Sequence, residues 1–108
     1  FVRQVLQHLS NKAIKNFVNY INKHKPFKHL LVTEHLSTSN LMIPNINKPS
    51  GSRIRTRFNS GIILHKKPFL ISCKSYEVLL NIPVSLKYPL SSKNKDPDSK
   101  IITILYSF

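Results

Sequence analysis

Apolar residues in the first third of the chain recur at three- and four-residue steps: Val2, Leu6, Leu9, Ala13, Phe17 and Ile21. That spacing gathers them on one stripe of a helix, with Lys12, Lys15, Asn16, Asn19 and Lys23 largely around it. Ser10 can cap a second helix inside the stretch, so the pattern accommodates one helix or two. His24, Lys25 and Pro26 end it, because the residue before a proline is pushed out of the α region. A second helix is expected from Phe27 to Leu36, through Leu30, Leu31 and Glu34. Thr38 to Ile43 either continues it or forms a short helix stopped by Pro44. Asn45 to Gly51 is dense in turn formers and reads as a loop. Ser50 or Ser52 can then cap a short helix through Asn59, with Gly61 at its C-terminal end.

After Gly61 the period changes. Ile62 to Leu64 and Phe69 to Ile71 flank a His65-Lys66-Lys67-Pro68 turn and predict a hairpin. Val78 to Leu80 and Val84 to Leu86 predict strand pieces, Ser91 to Ser99 a polar loop. Ile101 to Tyr106, rich in β-branched residues, predicts a last strand. The fold class expected is α+β, with N-terminal amphipathic helices followed by a small antiparallel β-sheet. Residues 1–26 form the amphipathic segment, 27–90 a central module, and 91–108 a polar loop with its strand.

Charge sharpens this picture. The 108 residues carry 17 Lys and Arg against four acids, Glu34, Glu77, Asp96 and Asp98, a formal net charge of +13. Such an excess repels itself in a compact state, and nucleic acid is the polyanion that most often relieves it. A basic amphipathic helix also suits a membrane surface, but this one has an Asn-rich polar face and the chain has no Trp. No apolar run approaches the roughly 18 residues of a membrane span. No signal peptide is visible, and a start at Phe1 rather than Met is expected of a processed chain or a fragment. Ile, Asn and Lys are abundant and, with Phe, have A/T-rich codons, which hints at an organellar or otherwise AT-rich genome.

Little catalytic chemistry is legible. Gly51 and Gly61 are the only glycines, which excludes a glycine-rich phosphate loop. Cys73 stands alone, so no internal disulfide or cysteine-based zinc site is available, as suits a reducing compartment. Behind the apolar Phe69-Leu70-Ile71 it reads as a packing residue rather than a nucleophile. His8, His24, His29, His35 and His65 have scattered spacings and read as solvated or phosphate-facing rather than as a metal site. Glu34 and Glu77 are isolated in sequence, and Asp96 and Asp98 lie in the polar loop, so no carboxylate pair is expected. The chain is read as a non-enzyme without cofactor, metal or small-molecule substrate.

Arg53, Arg55 and Arg57 are three of only four arginines in the chain. On a helix Arg53 and Arg57 share a face while Arg55 points elsewhere, and Ile54 and Phe58 form the buried side. Guanidinium forks match phosphate oxygens bidentately, so such a ridge suits an RNA backbone. The run Arg55-Thr56-Arg57-Phe58-Asn59-Ser60-Gly61-Ile62-Ile63-Leu64-His65-Lys66-Lys67 resembles the centre of the S-four (alpha-L) RNA-binding domain. Ser75-Tyr76-Glu77-Val78-Leu79-Leu80-Asn81-Ile82-Pro83-Val84-Ser85-Leu86 is similar to that family's following strand, and Glu34-His35-Leu36-Ser37 to its first-helix motif. The likeness covers roughly residues 27 to 88. It implies two short helices packed on a small twisted sheet, with RNA phosphates contacted at Arg53, Arg55, Arg57, Ser60, His65, Lys66 and Lys67.

The function expected is therefore that of a structural rRNA-binding ribosomal protein of an organellar, mitochondrial, small subunit. Its partners would be rRNA and neighbouring ribosomal proteins. The alternatives are a free-standing RNA-binding assembly or translation factor, and a basic accessory subunit of a membrane or respiratory complex.

Overall fold

The computed structural model describes residues 1–84 and 99–108. It is an α+β fold with one α-helix and a four-stranded mixed sheet. The helix, α1 (Asn11–His24), begins at Ser10, whose hydroxyl accepts from the Ala13 N–H at 3.3 Å. It ends where Lys25 turns left-handed at φ 43° ahead of Pro26. Of the two possibilities for the N-terminal stretch, neither a single long helix nor a pair forms. Residues Leu6–His8 make only a 3₁₀ turn, and the first strand, β1 (Val2–Arg3), precedes it.

The helix expected over 27–36 is instead the central strand, β2 (His29–Ser37). Leu30, Val32, Glu34 and Leu36 alternate onto one face, and neighbours on both sides satisfy the backbone. β1 pairs with it in parallel, at Val2 and Val32. β4 (Ser99–Ser107) pairs antiparallel along its whole length, from His29 opposite Ser107 to Ser37 opposite Ser99. Edge strand β3 (Ser75–Val84) joins the far side of β4, giving the order β1-β2-β4-β3. The sheet is thus mixed rather than wholly antiparallel. The strand pieces expected at 78–80 and from Val84 merge into one long β3 as far as they are described. Ser85, Leu86 and nearly all of the polar loop lie outside the described residues.

A register shift between Val78 and Leu80 leaves Leu79 as a bulge. Tyr76 and Val78 pair with Tyr106 and Ile104 on the helix side, whereas Leu80 and Ile82 pair with Thr103 and Ile101 on the opposite face. Both pairs of side chains remain exposed. The core lies between α1 and the sheet: Ile14, Val18 and Ile21 pack with Leu30, Val32, Ile104 and Tyr106. Ile62, Leu64, Phe69 and Ile71 complete it.

The expected 62–71 hairpin has the apolar residues but not the ladder. Ile71 N–H donates to Leu64 C=O at 2.8 Å, and beyond that Asn45 stands in for a strand. Its side chain accepts from Ile63 N–H at 2.8 Å and donates to Ile63 C=O at 2.9 Å. Both backbone groups of a buried residue are thereby satisfied. The helix expected through Asn59 shrinks to a 3₁₀ turn, Arg55–Phe58, closed by Asn59 at φ 57°. Ser50 does not cap it, because its hydroxyl accepts from Ser10 N–H at 2.9 Å. Gly61 does not provide the left-handed end either. It bridges to Leu36, and the close approach of the two chains is what excludes a side chain there.

Candidate nucleic-acid interface

The three neighbouring arginines have different fates. In the 3₁₀ turn Arg55 and Thr56 face inward while Arg57 and Phe58 face solvent, so the side expected to bury Phe58 is inverted. Arg55 is 1 % exposed and all five of its N–H groups are engaged. Nε donates to Ile46 C=O at 2.9 Å. Nη1 donates to Leu6 C=O and Gln7 C=O at 3.2 and 3.1 Å. Nη2 donates to Leu9 C=O at 2.7 Å and to Asn11 Oδ1 at 2.8 Å. Four of these acceptors lie on the Leu6–Asn11 stretch that leads from the first 3₁₀ turn into α1, and the fifth, Ile46 C=O, lies in the loop before Arg55. Arg55 is therefore an internal clamp and has no donor left for a phosphate.

Glu34 faces the same region from β2. Its Oε1 accepts from Leu6 N–H at 3.0 Å, while Oε2 is buried without a partner. Burial pushes its carboxyl up to about 7, against the pull of the Leu6, Gln7 and Val5 N–H groups and of the Arg55 charge. Arg55 is itself lowered to about 10 by burial, with Glu34 opposing, and stays cationic at neutral pH. No hydrogen bond joins the two, because the guanidinium spends its donors on carbonyls.

Ser60 also leaves the surface. It is fully buried, and its hydroxyl accepts from Ile46 N–H at 3.1 Å. Arg53 and Arg57 are exposed, as are Lys66 and Lys67 beyond the Gly61–Leu64 run. His65 is half-buried: Nδ1 lies 3.0 Å from the Tyr106 hydroxyl and its ring stacks on Tyr76, centroids 4.0 Å apart and planes 15° from parallel. Burial, then the nearby Lys66 charge, lowers its pKa below the ordinary value. The structure thus splits the seven candidate positions. Gly61, following the arginine turn, meets β2 at Leu36, whereas His65 sits by Tyr106, the partner of Leu30 toward the other end of that strand.

Two lysines that spacing did not single out take structural posts. Lys15 reaches from α1 to Pro68 C=O at 2.9 Å and Phe69 C=O at 3.2 Å, bracing the turn that carries Lys66 and Lys67. Lys48 is buried and donates to His8 C=O and Pro49 C=O. Cys73 packs partly buried against the core, and burial raises its thiol pKa. Among the described residues, no three His, Cys, Asp or Glu side chains converge to hold a metal ion. Nor, among them, is any helix long and apolar enough to cross a membrane.

What remains outside is positive. Arg3, Lys12, Lys23, Lys25, Lys28, Arg53, Arg57, Lys66, Lys67 and Lys74 are exposed. Of the acids among the described residues, Glu34 is buried and Glu77 alone faces solvent. No protein-family model, curated protein or solved structure matches this chain.

Proposed function

We propose that this protein binds RNA through its exposed lysines and arginines, as a structural rRNA-binding component of an organellar ribosome. The observation that carries the reading is the imbalance of the surface. Ten exposed cations face one exposed carboxylate among the described residues, and the remaining described acid is buried with its charge suppressed. Such a surface is best neutralised by a phosphate backbone, with release of condensed counter-ions. The S-four likeness adds the same partner class. Its two-helix arrangement is not part of the proposal, since 29–37 is a strand and 55–58 a single turn. The RNA-facing residues proposed are Arg53, Arg57, Lys66 and Lys67; Arg55 and Ser60 are withdrawn.

The test is RNA affinity, read by fluorescence anisotropy, across salt. If about six phosphates are neutralised, affinity falls on the order of a thousandfold between 50 and 200 mM salt. A flat titration overturns the proposal. A second reading, a basic accessory subunit of a larger protein assembly, draws support from the exposed Val78, Leu80 and Ile82 of β3. It requires an acidic protein partner and no preference for RNA.

A further inference from the structure

Tyr76 presents a feature that charge does not explain. It sits on edge strand β3, and one face of its ring is covered by His65 at 4.0 Å, nearly parallel. Yet the residue is 52 % exposed, so much of it is open to solvent. The stack is rigidly backed. His65 Nδ1 is tied to the Tyr106 hydroxyl at 3.0 Å, and Tyr106 is 1 % exposed within the core. Tyr106 lies directly opposite Tyr76 in the sheet, with ring centroids 6.2 Å apart.

Its surroundings are cationic. Lys66 adjoins His65 closely enough for its charge to add to burial in lowering the imidazole pKa. Lys74 lies in the bend that leads into β3, bonded through its N–H to Ser107 C=O at 2.7 Å. Both lysines are exposed. An exposed aromatic ring stacked on a histidine that feels the Lys66 charge matches one unstacked nucleotide: a base on the ring and its phosphate on a nearby ammonium.

We infer that Tyr76, held in place by His65 and Tyr106, is a stacking platform for an unpaired RNA base, with the neighbouring Lys66 as its phosphate contact. The inference rests on the proposed RNA function and adds to it a preference for single-stranded over duplex RNA. Duplexes hide their base faces, whereas splayed loops and ends present them.

The chain has no tryptophan, so Tyr76→Trp introduces a single indole reporter at the platform. The probes are a short unstructured polyuridine RNA and a hairpin duplex of equal charge. Quenching of the indole by the single strand, and little by the duplex, is the expected result. Tyr76→Ala should weaken single-strand binding about ten- to a hundredfold, Tyr76→Phe little, with the salt slope unchanged in both. Should Tyr76→Ala fail to fold, the indole titration decides. If the parent binds RNA with steep salt dependence while the indole is unquenched and Tyr76→Ala binds as tightly, the platform is overturned and the RNA function stands. If the parent binds neither probe at low salt, both fall together.

Discussion

Replacing Arg55 by alanine should unfold the protein rather than blind it to RNA. The substitution deletes five hydrogen bonds from a side chain that is 1 % exposed. It strands the carbonyls of Gln7, Leu9 and Ile46 and the Asn11 Oδ1 around an empty volume, and leaves Leu6 C=O with the Leu9 N–H alone. Hydrogen bonds from a charged donor contribute roughly 1.5–3 kcal/mol each, but they are not additive, and the cation's own desolvation offsets part of the sum. Breaking a buried charged network costs about 3–5 kcal/mol in comparable cases. Glu34 also loses the neighbouring positive charge that partly holds its carboxyl down. Against a total stability of about 5–15 kcal/mol this loss is large. At roughly 4–8 °C per kcal/mol for a domain of this size, the melting temperature should drop by about 12–40 °C. Arg55→Lys, with three donors on one centre instead of five on a fork, should recover only part of it. The assay is urea and thermal denaturation followed by far-ultraviolet circular dichroism, beside RNA anisotropy. Arg53→Ala/Arg57→Ala is the contrast: it should melt like the parent and bind RNA more weakly, by about 1–2 kcal/mol per lost phosphate contact. If Arg55→Ala melts within about 1 kcal/mol of the parent and loses RNA affinity as that double variant does, the clamp is refuted.

Two further outcomes follow from buried groups. The Glu34 carboxyl titrates near 7 folded against an ordinary 4.5, so the folded state holds a proton the unfolded state has released. Its contribution is present below pH 4.5, is lost as pH rises to about 7, and totals on the order of 3 kcal/mol. His35 and His65, lowered by burial, slope the other way below pH 6.5. The difference between parent and Glu34→Gln isolates the carboxylate: the parent should lose stability relative to the variant across pH 5–7.5 in urea titrations, and a pH-independent difference would contradict the burial argument. At Gly61 an added Cβ would collide with Leu36 Cδ2 and lie 2.8 Å from His35 O and 2.9 Å from Leu36 Cα. Gly61→Ala should therefore cost about 1–3 kcal/mol. Gly51→Ala, with open space around it, should be near neutral in the same melts.

The ends of α1 were legible because they are local, Ser10 at its start and Pro26 beyond its end, but its core face was not. The stripe expected from Val2 shares only Ile21 with the buried Ile14, Val18 and Ile21, and residues 2–8 form a strand and a 3₁₀ turn. β4 was legible for the same local reason, as a run of β-branched residues. β2 was not. Leu30, Leu31 and Glu34 fit a helical face as well as a strand, and pairing on both sides with β1 and β4 decides between them. The arginine cluster shows the limit most sharply. Helical spacing sets Arg55 apart from Arg53 and Arg57, but nothing local says that it turns inward; that is decided by carbonyls of Leu6, Gln7 and Leu9, which come within reach only once the N-terminal turn is folded. The His65, Tyr76 and Tyr106 cluster likewise has no signal in the sequence, since its members meet only through the sheet.

The strand order carries a consequence for how the chain comes into being. β4 separates β2 from β3 and pairs with each along most of its length. During vectorial synthesis every earlier element emerges before it. α1 then has no complete surface to lie on, and the two long strands have no common partner, until residues 99–107 appear. A lone helix of 14 residues is marginal in water. So the nascent chain stays open, polycationic and studded with the apolar side chains of β2 and β3 until its final described strand arrives. In that interval RNA or a chaperone would meet an extended polyelectrolyte rather than a folded domain, and sheet closure and assembly become events that compete for the same chain.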